Sequence, residues 1–229
     1  MNAVAIITAR GGSKRIPGKN KKEFLGKPII CYSIEAALGS GIFEEVMVST
    51  DDAEIAEIAK AAGASVPFMR SDATADDYAT TDDVLMEVLA SYEKIGKTFT
   101  HMACIYPTAP FVTSKKLRDG MELLQKNNAA GAMPVVRFSF PPQRGMAIRD
   151  GKLEYCYPEN ALKRSQDLEA MYHDCGQFYL YDVKAFLEYN GNLPGYLPIE
   201  VPELEVQDID TMTDWKLAEL KYEMMEKNK

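Results

Sequence analysis

The stretch Ala3–Asn20, AVAIITARGGSKRIPGKN, constrains the fold more than any other part of the chain. It begins as an apolar run, Ala3–Ile7, rich in Val and Ile, which reads as a buried parallel strand. At Thr8-Ala9 the run breaks into a loop that carries Gly11, Gly12 and Gly18 together with Arg10, Lys14, Arg15 and Lys19. Lys21 and Lys22 follow, and no acidic residue occurs before Glu23. Glycines let backbone N–H groups approach an anion closely, and the cations offset its charge, so a strand opening into such a loop suits a polyphosphate. The competing reading is a solvated basic turn ahead of a helix. Overall charge bears on that choice. The formal net charge is -8 and the pI about 5.0, so a basic cluster stands against the balance of the chain and points to a small bound anion. The same balance argues against general binding to nucleic acid or to an anionic membrane.

Spacing excludes the two commonest phosphate loops. Five residues separate Gly12 from Gly18-Lys19, where a Walker A motif has four, and Asn20 stands where that motif has Ser or Thr. No GxGxxG is present, which disfavours a nicotinamide-dependent dehydrogenase. The loop nevertheless sits at the carboxyl end of the first strand, the edge of an open α/β sheet where ligands bind.

Downstream, hydrophobic periodicity predicts alternating strands and helices. Pro28 reads as the first position of a helix with Ile30, Ile34 and Leu38 on one face, ended by Gly39 or Gly41. Glu45–Thr50 is the second strand, Asp51-Asp52 caps a helix with Ile55, Ala59 and Ala62 inward, and a short strand follows near Ser65–Phe68. Thr80 or Thr81 caps a helix whose stripe is Val84, Leu85, Val88, Leu89 and Tyr92. His101–Tyr106 is the fourth strand, a helix capped by Thr113 or Ser114 with Leu117, Met121 and Leu124 on one face comes next, and Ala130–Val136 is the fifth strand. The expected class is therefore α/β, a Rossmann-like, mostly parallel sheet in a single domain spanning 1–229. The rhythm changes at about 138–166, where Pro141, Pro142, Pro158, Gly145 and Gly151 interrupt it. A hairpin across Asp150-Gly151 is predicted there, in an excursion that could serve as a lid or dimer arm. Gly176–Tyr181 returns to the sheet, a helix runs from Asp182 to about Tyr189, and Leu197–Val201 is a short strand. A last helix, Thr213–Met225, is expected to turn Leu217, Leu220 and Met224 to the core.

Near the carboxyl end, Asp208 and Asp210 flank Ile209. In extended backbone, residues two apart point the same way, so both carboxylates can grip one hard cation while Ile209 faces the core. Acids decorating a helix N-terminus are the alternative. Cys31, Cys104, Cys156 and Cys175 form no CxxC pair, and with only His101 and His173 a zinc cluster is disfavoured. Scattered thiols, no secretory leader pattern and no apolar run of membrane-spanning length fit a cytoplasmic protein.

RGGSKRIPGKN followed by LGKPII resembles the acylneuraminate cytidylyltransferase family, and so do VSTDDAEIAEIAKAAGA, the PTAP turn and DIDTMTDW, in order along the chain. FSFPPQR, RSQDLEAMYHDCGQFY and CIYPTAPF look most like its pseudaminic acid branch, and Tyr106 stands where the sialic acid branch has Gln. The resemblance implies the nucleotide-diphospho-sugar transferase type of fold and transfer of CMP from CTP to the anomeric hydroxyl of a nine-carbon nonulosonic acid. Pseudaminic acid is the first choice, and legionaminic, N-acetylneuraminic and 3-deoxy-octulosonic acids are the alternatives. A non-catalytic nucleotide sensor and an oxidoreductase are the readings from other classes. The resemblance further implies nucleotide contacts from Ala9, Arg10, Gly11, Gly12, Ser13, Lys19, Asn20, Arg70, Thr80 and Thr81. Helix capping explains Thr80 and Thr81 nearly as well, and a surface ion pair is the alternative for Arg70. Sugar contacts fall on Tyr106, Gln143, Arg164, His173 and Gln177, with Arg164 suited to a carboxylate, a satisfied structural histidine the alternative for His173, and Asp174 read as its partner. Arg10 and Lys19 would stabilise the departing pyrophosphate, Asp208 and Asp210 would hold Mg2+, and Asp210 is the candidate general base. A homodimer is also implied.

Overall fold

The computed structural model describes residues 2–75 and 78–227. The order begins β1 (Ala3–Thr8), β2 (Glu23–Phe24), β3 (Lys27–Pro28), α1 (Ile30–Ser40), β4 (Glu45–Ser49), α2 (Ala53–Ala61), α3 (Asp72–Ala75), α4 (Thr81–Lys94) and β5 (His101–Ile105). It continues α5 (Ser114–Lys126), β6 (Gly131–Arg137), β7 (Met146–Arg149), β8 (Lys152–Tyr155), β9 (Tyr172–Asp174), β10 (Phe178–Asp182), α6 (Val183–Glu188), β11 (Leu197–Glu200) and α7 (Met212–Lys227). The main sheet runs β11-β6-β10-β5-β1-β4, with β9 added on β6. β1 pairs parallel with both β4 and β5, and β11 pairs parallel with β6. β10 enters antiparallel between β5 and β6, so the sheet is mixed α/β and mostly parallel.

β1 is the centre of two cores. Ala3, Ala5 and Ile7 face α1, α2 and α5, against Ile34, Ile55, Leu117 and Leu124. Val4 and Ile6 face the other way, against Val84, Leu85, Val88 and Tyr92 of α4 and Phe186 of α6. A strand buried on both faces reads as a continuous apolar run because both directions lead into a core. A third cluster matters most for the site. Ile16 and Phe24, from the segment after β1, pack with Ile209, Trp215 and Met225 near the carboxyl end. Burying one such aliphatic side chain contributes roughly 1.5–3 kcal/mol, so this cluster ties the loop to the Asp208–Asp210 segment.

Four local expectations need correction. Pro28 does not open α1. Lys27–Pro28 pairs with Glu23–Phe24 across Leu25-Gly26, both at positive φ (46° and 97°), and the helix starts only after that hairpin. Ser65–Phe68 makes one bridge, Met47 with Ser65, rather than a strand. Leu38 is exposed although Ile30 and Ile34 are buried, and Gly41, in the left-handed conformation, ends that helix. On α7, Leu217, Leu220 and Met224 are 42%, 59% and 47% exposed. The helix instead buries Trp215, Ala218 and Met225, because Trp215 packs edge-on against Phe24 at 5.5 Å. Of two apolar stripes on one helix, the one carrying the large ring removes more surface from water. Other expectations hold. Asp52 caps α2, Thr80 caps α4 in a reciprocal box with Asp83, and Thr113 caps α5. The hairpin β7–β8 turns at Asp150-Gly151, both at positive φ.

Candidate active site

The site forms where β1 and β5 end and their following loops part. A cavity of about 480 Å³ opens there, large enough for a nucleotide. Arg10 and Lys19 of the loop after β1 and Arg70 of the segment after α2 line it, with Ser13, Asn20, Thr80, Thr81 and Tyr106 between them. Lys14, Arg15 and Thr108 are also on its wall. Ala9 lies beneath, buried, with its N–H donated to the Ser49 carbonyl at 2.9 Å. Gly11 and Gly12 line a second opening on the outer side of the same loop, with Asp51 and Tyr78. A Cβ on Gly11 would lie 3.0 Å from the side chain of Asp52, which is why the chain can pass so close to the start of α2. The Gly11 N–H donates to Asp51 Oδ1 at 2.8 Å and the Ser13 N–H to the Gly11 carbonyl at 3.0 Å. Two of the amides expected to cradle phosphate are therefore engaged within the loop and its neighbour.

The cations are held from below. Gly18, at φ 62°, starts a 3-10 turn over Lys19–Lys21. Asn20 is buried and donates to the Arg10 carbonyl at 2.8 Å, clamping the loop's two ends together. Lys19 Nζ donates to the Ile209 carbonyl at 2.7 Å and lies 3.8 Å from Asp210 Oδ1. Burial pushes the Lys19 amine below the usual lysine range, against the pull of Asp210 and Asp208. Arg15 pairs with Asp210 Oδ2 across 195 positions of sequence. Arg70 is not a surface ion pair. Its buried guanidinium donates to Ser49 Oγ at 3.1 Å and to the Ser49 carbonyl at 2.7 Å, and burial lowers its pKa from the usual arginine value. On the far wall, the Tyr106 hydroxyl lies 3.4 Å from Thr81 Oγ1, and burial pushes the phenol up.

The remaining residues are distributed elsewhere. Ile209 is buried and Asp208 exposed, with Asp210 between those extremes, as the alternation of an extended segment requires. Asp208 lines a separate cleft of about 240 Å³ with Arg137, His173 and Lys221. His173 rests on Phe138 and contacts its neighbour's backbone, with Nδ1 2.8 Å from the Asp174 carbonyl oxygen. The Asp174 carboxylate does not pair with the His173 ring. It accepts from the Gly176 N–H at 2.7 Å and the Tyr179 hydroxyl at 2.6 Å. Arg164 is exposed and forms a two-pronged pair with Asp167 at 2.7 and 2.9 Å. Gln143 donates to the Glu169 carbonyl at 2.9 Å within the excursion. Gln177 is 2% exposed and donates to the Glu205 carbonyl at 2.6 Å, while its Oε1 is buried without a partner. Neither Arg164, Gln143 nor Gln177 lines the two openings around the loop. The sequence left Ser49 without a role and read Asp51 only as part of a helix cap, whereas Asp52 makes that cap and Asp51 holds Gly11. The loop's charge count included Arg15, but only contacts across the fold reveal its partner.

Among the described residues, no three His, Cys, Asp or Glu side chains gather into a metal-binding group. Asp208 and Asp210, whose two carboxylate charges both reach Lys19, are the all-oxygen donors on this segment. That donor set fits a hard divalent cation whose other positions are taken by phosphate and water oxygens. Among the described residues no helix is long and apolar enough to cross a membrane. The cysteines are all free, with Cys31, Cys104 and Cys175 buried and Cys156 exposed.

Comparison with known proteins places this architecture. A pseudaminic acid cytidylyltransferase of Campylobacter jejuni subsp. jejuni is 40% identical over 226 residues, 98% of this chain and 97% of that protein. A CMP-N,N'-diacetyllegionaminic acid synthase of Legionella pneumophila subsp. pneumophila is 34% identical, over 96% of this chain and 95% of its own length. A solved structure of CMP:2-keto-3-deoxy-manno-octonic acid synthetase complexed with CTP superposes with a TM-score of 0.71 over 99% of this chain and 100% of that one. At 21% identity that likeness shows the shared fold. Residues 4–206, which carry all but the first residue of β1, the cationic loop and every wall of the cavity, match the cytidylyltransferase family, and the chain belongs to it.

Proposed function

We propose that this enzyme transfers CMP from CTP to the anomeric 2-hydroxyl of a nonulosonic acid of the pseudaminic type and releases pyrophosphate. One observation carries the reading: Arg10 and Lys19 from the loop after β1 and Arg70 from the segment after α2 converge on one cavity beside Tyr106 and Thr81, at the carboxyl edge of the sheet. The full-length likeness to pseudaminic acid cytidylyltransferases supports the choice of sugar.

In this reading the triphosphate lies along the cationic loop. Arg10 and Lys19 are aimed where charge grows as pyrophosphate departs, so they stabilise the transition state more than the ground state. Arg70, fixed on Ser49, reaches the triphosphate without needing to reorganise. Asp208 and Asp210 are the residues that would hold Mg2+, and the bound cation would offset triphosphate charge and polarise the α-phosphorus. Asp210 is the group assigned to take the proton of the attacking hydroxyl, which requires Arg15 to release its Oδ2. Arg15 is exposed enough to swing away, with its side chain 69% accessible. The sugar acid is read by Tyr106 at the cavity wall. Gln143, Arg164 and His173 are assigned to the rest of its site, and Gln177, buried against the Glu205 carbonyl, supports that wall through its own carbonyl, which accepts the Tyr106 N–H.

The excursion at 138–166 supports a homodimer. It presents Phe140, Ile148, Leu153 and Leu162 to solvent, the last 99% exposed, and Ile148 and Leu153 stand opposite each other across the β7–β8 hairpin, apolar surface of the kind that interfaces cover. A cytoplasmic setting fits the four free cysteines. The decisive experiment offers CTP and a panel of purified sugar acids and measures pyrophosphate release. Turnover highest with pseudaminic acid is expected. Preference for legionaminic, N-acetylneuraminic or 3-deoxy-octulosonic acid would move the substrate, and release with none would refute the function. Sedimentation of the wild type as a dimer and of Ile148→Asp as a monomer tests the interface, and a monomeric wild type removes it.

A further inference from the structure

Arg15 joins the cationic loop to the carboxylate segment. Its side chain lines the cavity with Arg10 and Lys19, yet its Nη1 donates to Asp210 Oδ2. Lys19 Nζ lies 3.8 Å from the other oxygen, Oδ1. Both oxygens of Asp210 are therefore faced by cations of the loop. A hard divalent cation binds carboxylate oxygens directly, and a positive charge already seated on them repels it. The two ends of the Arg15–Asp210 pair differ in freedom. Asp210 is held in place: its own N–H and that of Thr211 donate to Asp214 Oδ2 at 3.2 and 2.7 Å, and Ile209 before it is buried with Ile16 and Trp215. Arg15 is anchored only through its backbone, beside the buried Ile16, and its side chain is largely exposed.

An exposed ion pair in water is weak enough to be exchanged. A triphosphate in the cavity offers the guanidinium several charged oxygens in a geometry that its planar fork matches. We propose that Arg15 is a further triphosphate-binding residue, seated on Asp210 until nucleotide enters and then transferred to the phosphates, so that nucleotide binding uncovers the carboxylate for the divalent cation. The inference rests on the cavity being the nucleotide site of CMP transfer. Binding of the two ligands is then coupled in one direction of sign: each favours the other, because both require the Arg15–Asp210 pair to open. A cation without nucleotide meets a carboxylate already neutralised, and nucleotide without the cation gives up one ion pair to gain a stronger contact.

Two binding measurements on Arg15→Met test the proposal without turnover. The first titrates Mn2+ alone, followed by its electron paramagnetic resonance signal. The second titrates CTP in EDTA by calorimetry. Mn2+ should bind about five- to ten-fold more tightly to the variant than to the wild type, the size of a screened repulsion between a guanidinium and a divalent ion. CTP should bind about five-fold more weakly, as one charge-assisted hydrogen bond is lost less the ion pair given up. Arg15→Lys keeps the charge and should return Mn2+ binding to the wild-type value. Adding Asp208→Asn to Arg15→Met should remove the gain in Mn2+ affinity. Mn2+ binding unchanged in Arg15→Met, CTP binding as tight as in the wild type, an Arg15→Lys variant that behaves like Arg15→Met, or a gain that survives Asp208→Asn would each overturn the exchange. Wild-type behaviour separates the two levels. A wild type that binds CTP and releases pyrophosphate with a sugar acid, beside a failed variant series, overturns this inference alone, whereas a wild type that binds no CTP overturns it together with the proposed function.

Discussion

Replacing Arg70 with Met should uncouple catalysis from stability. The guanidinium has five N–H donors. Two are used on Ser49, at 3.1 and 2.7 Å, which leaves three for the cavity that Arg70 lines. One charge-assisted hydrogen bond to a phosphate contributes about 1.5–3 kcal/mol, so its loss lowers kcat/KM for CTP roughly 10- to 150-fold. Stability should change far less. The groups around Arg70 keep other partners: the Ser49 carbonyl still accepts the Ala9 N–H at 2.9 Å, Asp51 still accepts Gly11, and Glu87 still accepts the Ser71 N–H at 2.9 Å. Met also fills much of the volume, and exchanging a buried charge for an apolar chain is often close to neutral. The expected destabilisation is under about 1 kcal/mol, or ~2–4 °C in Tm for a chain of this size. Steady-state kinetics with varied CTP and thermal unfolding of the same preparations give both numbers. A Tm that drops by ~10 °C while kcat/KM holds would refute the reasoning and make Arg70 a structural cation.

Asp210→Asn should abolish turnover yet leave CTP binding largely intact, because freeing Arg15 and Lys19 from a carboxylate offsets the loss of one metal ligand. Calorimetric titration with CTP beside a pyrophosphate assay checks it, and wild-type turnover sinks the assignment. Two capping carboxylates link stability to acid pH. Asp83 and Asp214 are held below the ordinary aspartate value of 3.8 by bonds from the Thr80 and Thr211 side chains and backbones. A depressed folded pKa means stability that is complete above the unfolded value and shrinks as pH falls from 3.8 through the folded value. Urea unfolding of wild type and Asp83→Asn should therefore converge at the acid end, and parallel curves would refute the link. Gly120→Ala places a Cβ 2.6 Å from Ile199 and 2.7 Å from Leu180, pressing α5 off the sheet. Overpacking should outweigh the gain of about 1 kcal/mol in helix propensity, so a net loss of ~1–2 kcal/mol is expected in urea unfolding. A stabilised variant would show that the two side-chain ends yield freely.

The sequence by itself determined what depends on near neighbours. The apolar run of β1, the stripe on α4, the caps at Asp52, Thr80 and Thr113 and the hairpin at Asp150-Gly151 are legible because periodicity and turn chemistry act over a few residues. The spacing of the cationic loop likewise excluded the common phosphate motifs before any fold was known. Tertiary structure decided whatever needed partners far along the chain. Nothing local to GQFYLY says that β10 inserts antiparallel between β5 and β6, yet that pairing alone brings Tyr179 to Tyr106. On α7, two apolar stripes compete, and Phe24, nearly two hundred residues earlier, selects the one carrying Trp215. The same packing buries Ile209 beside Ile16 and sets Asp210 against Arg15 and Lys19. The cations of the opening loop are visible in the sequence as charge. What each one faces is a property of burial and long-range contact, which local sequence does not encode.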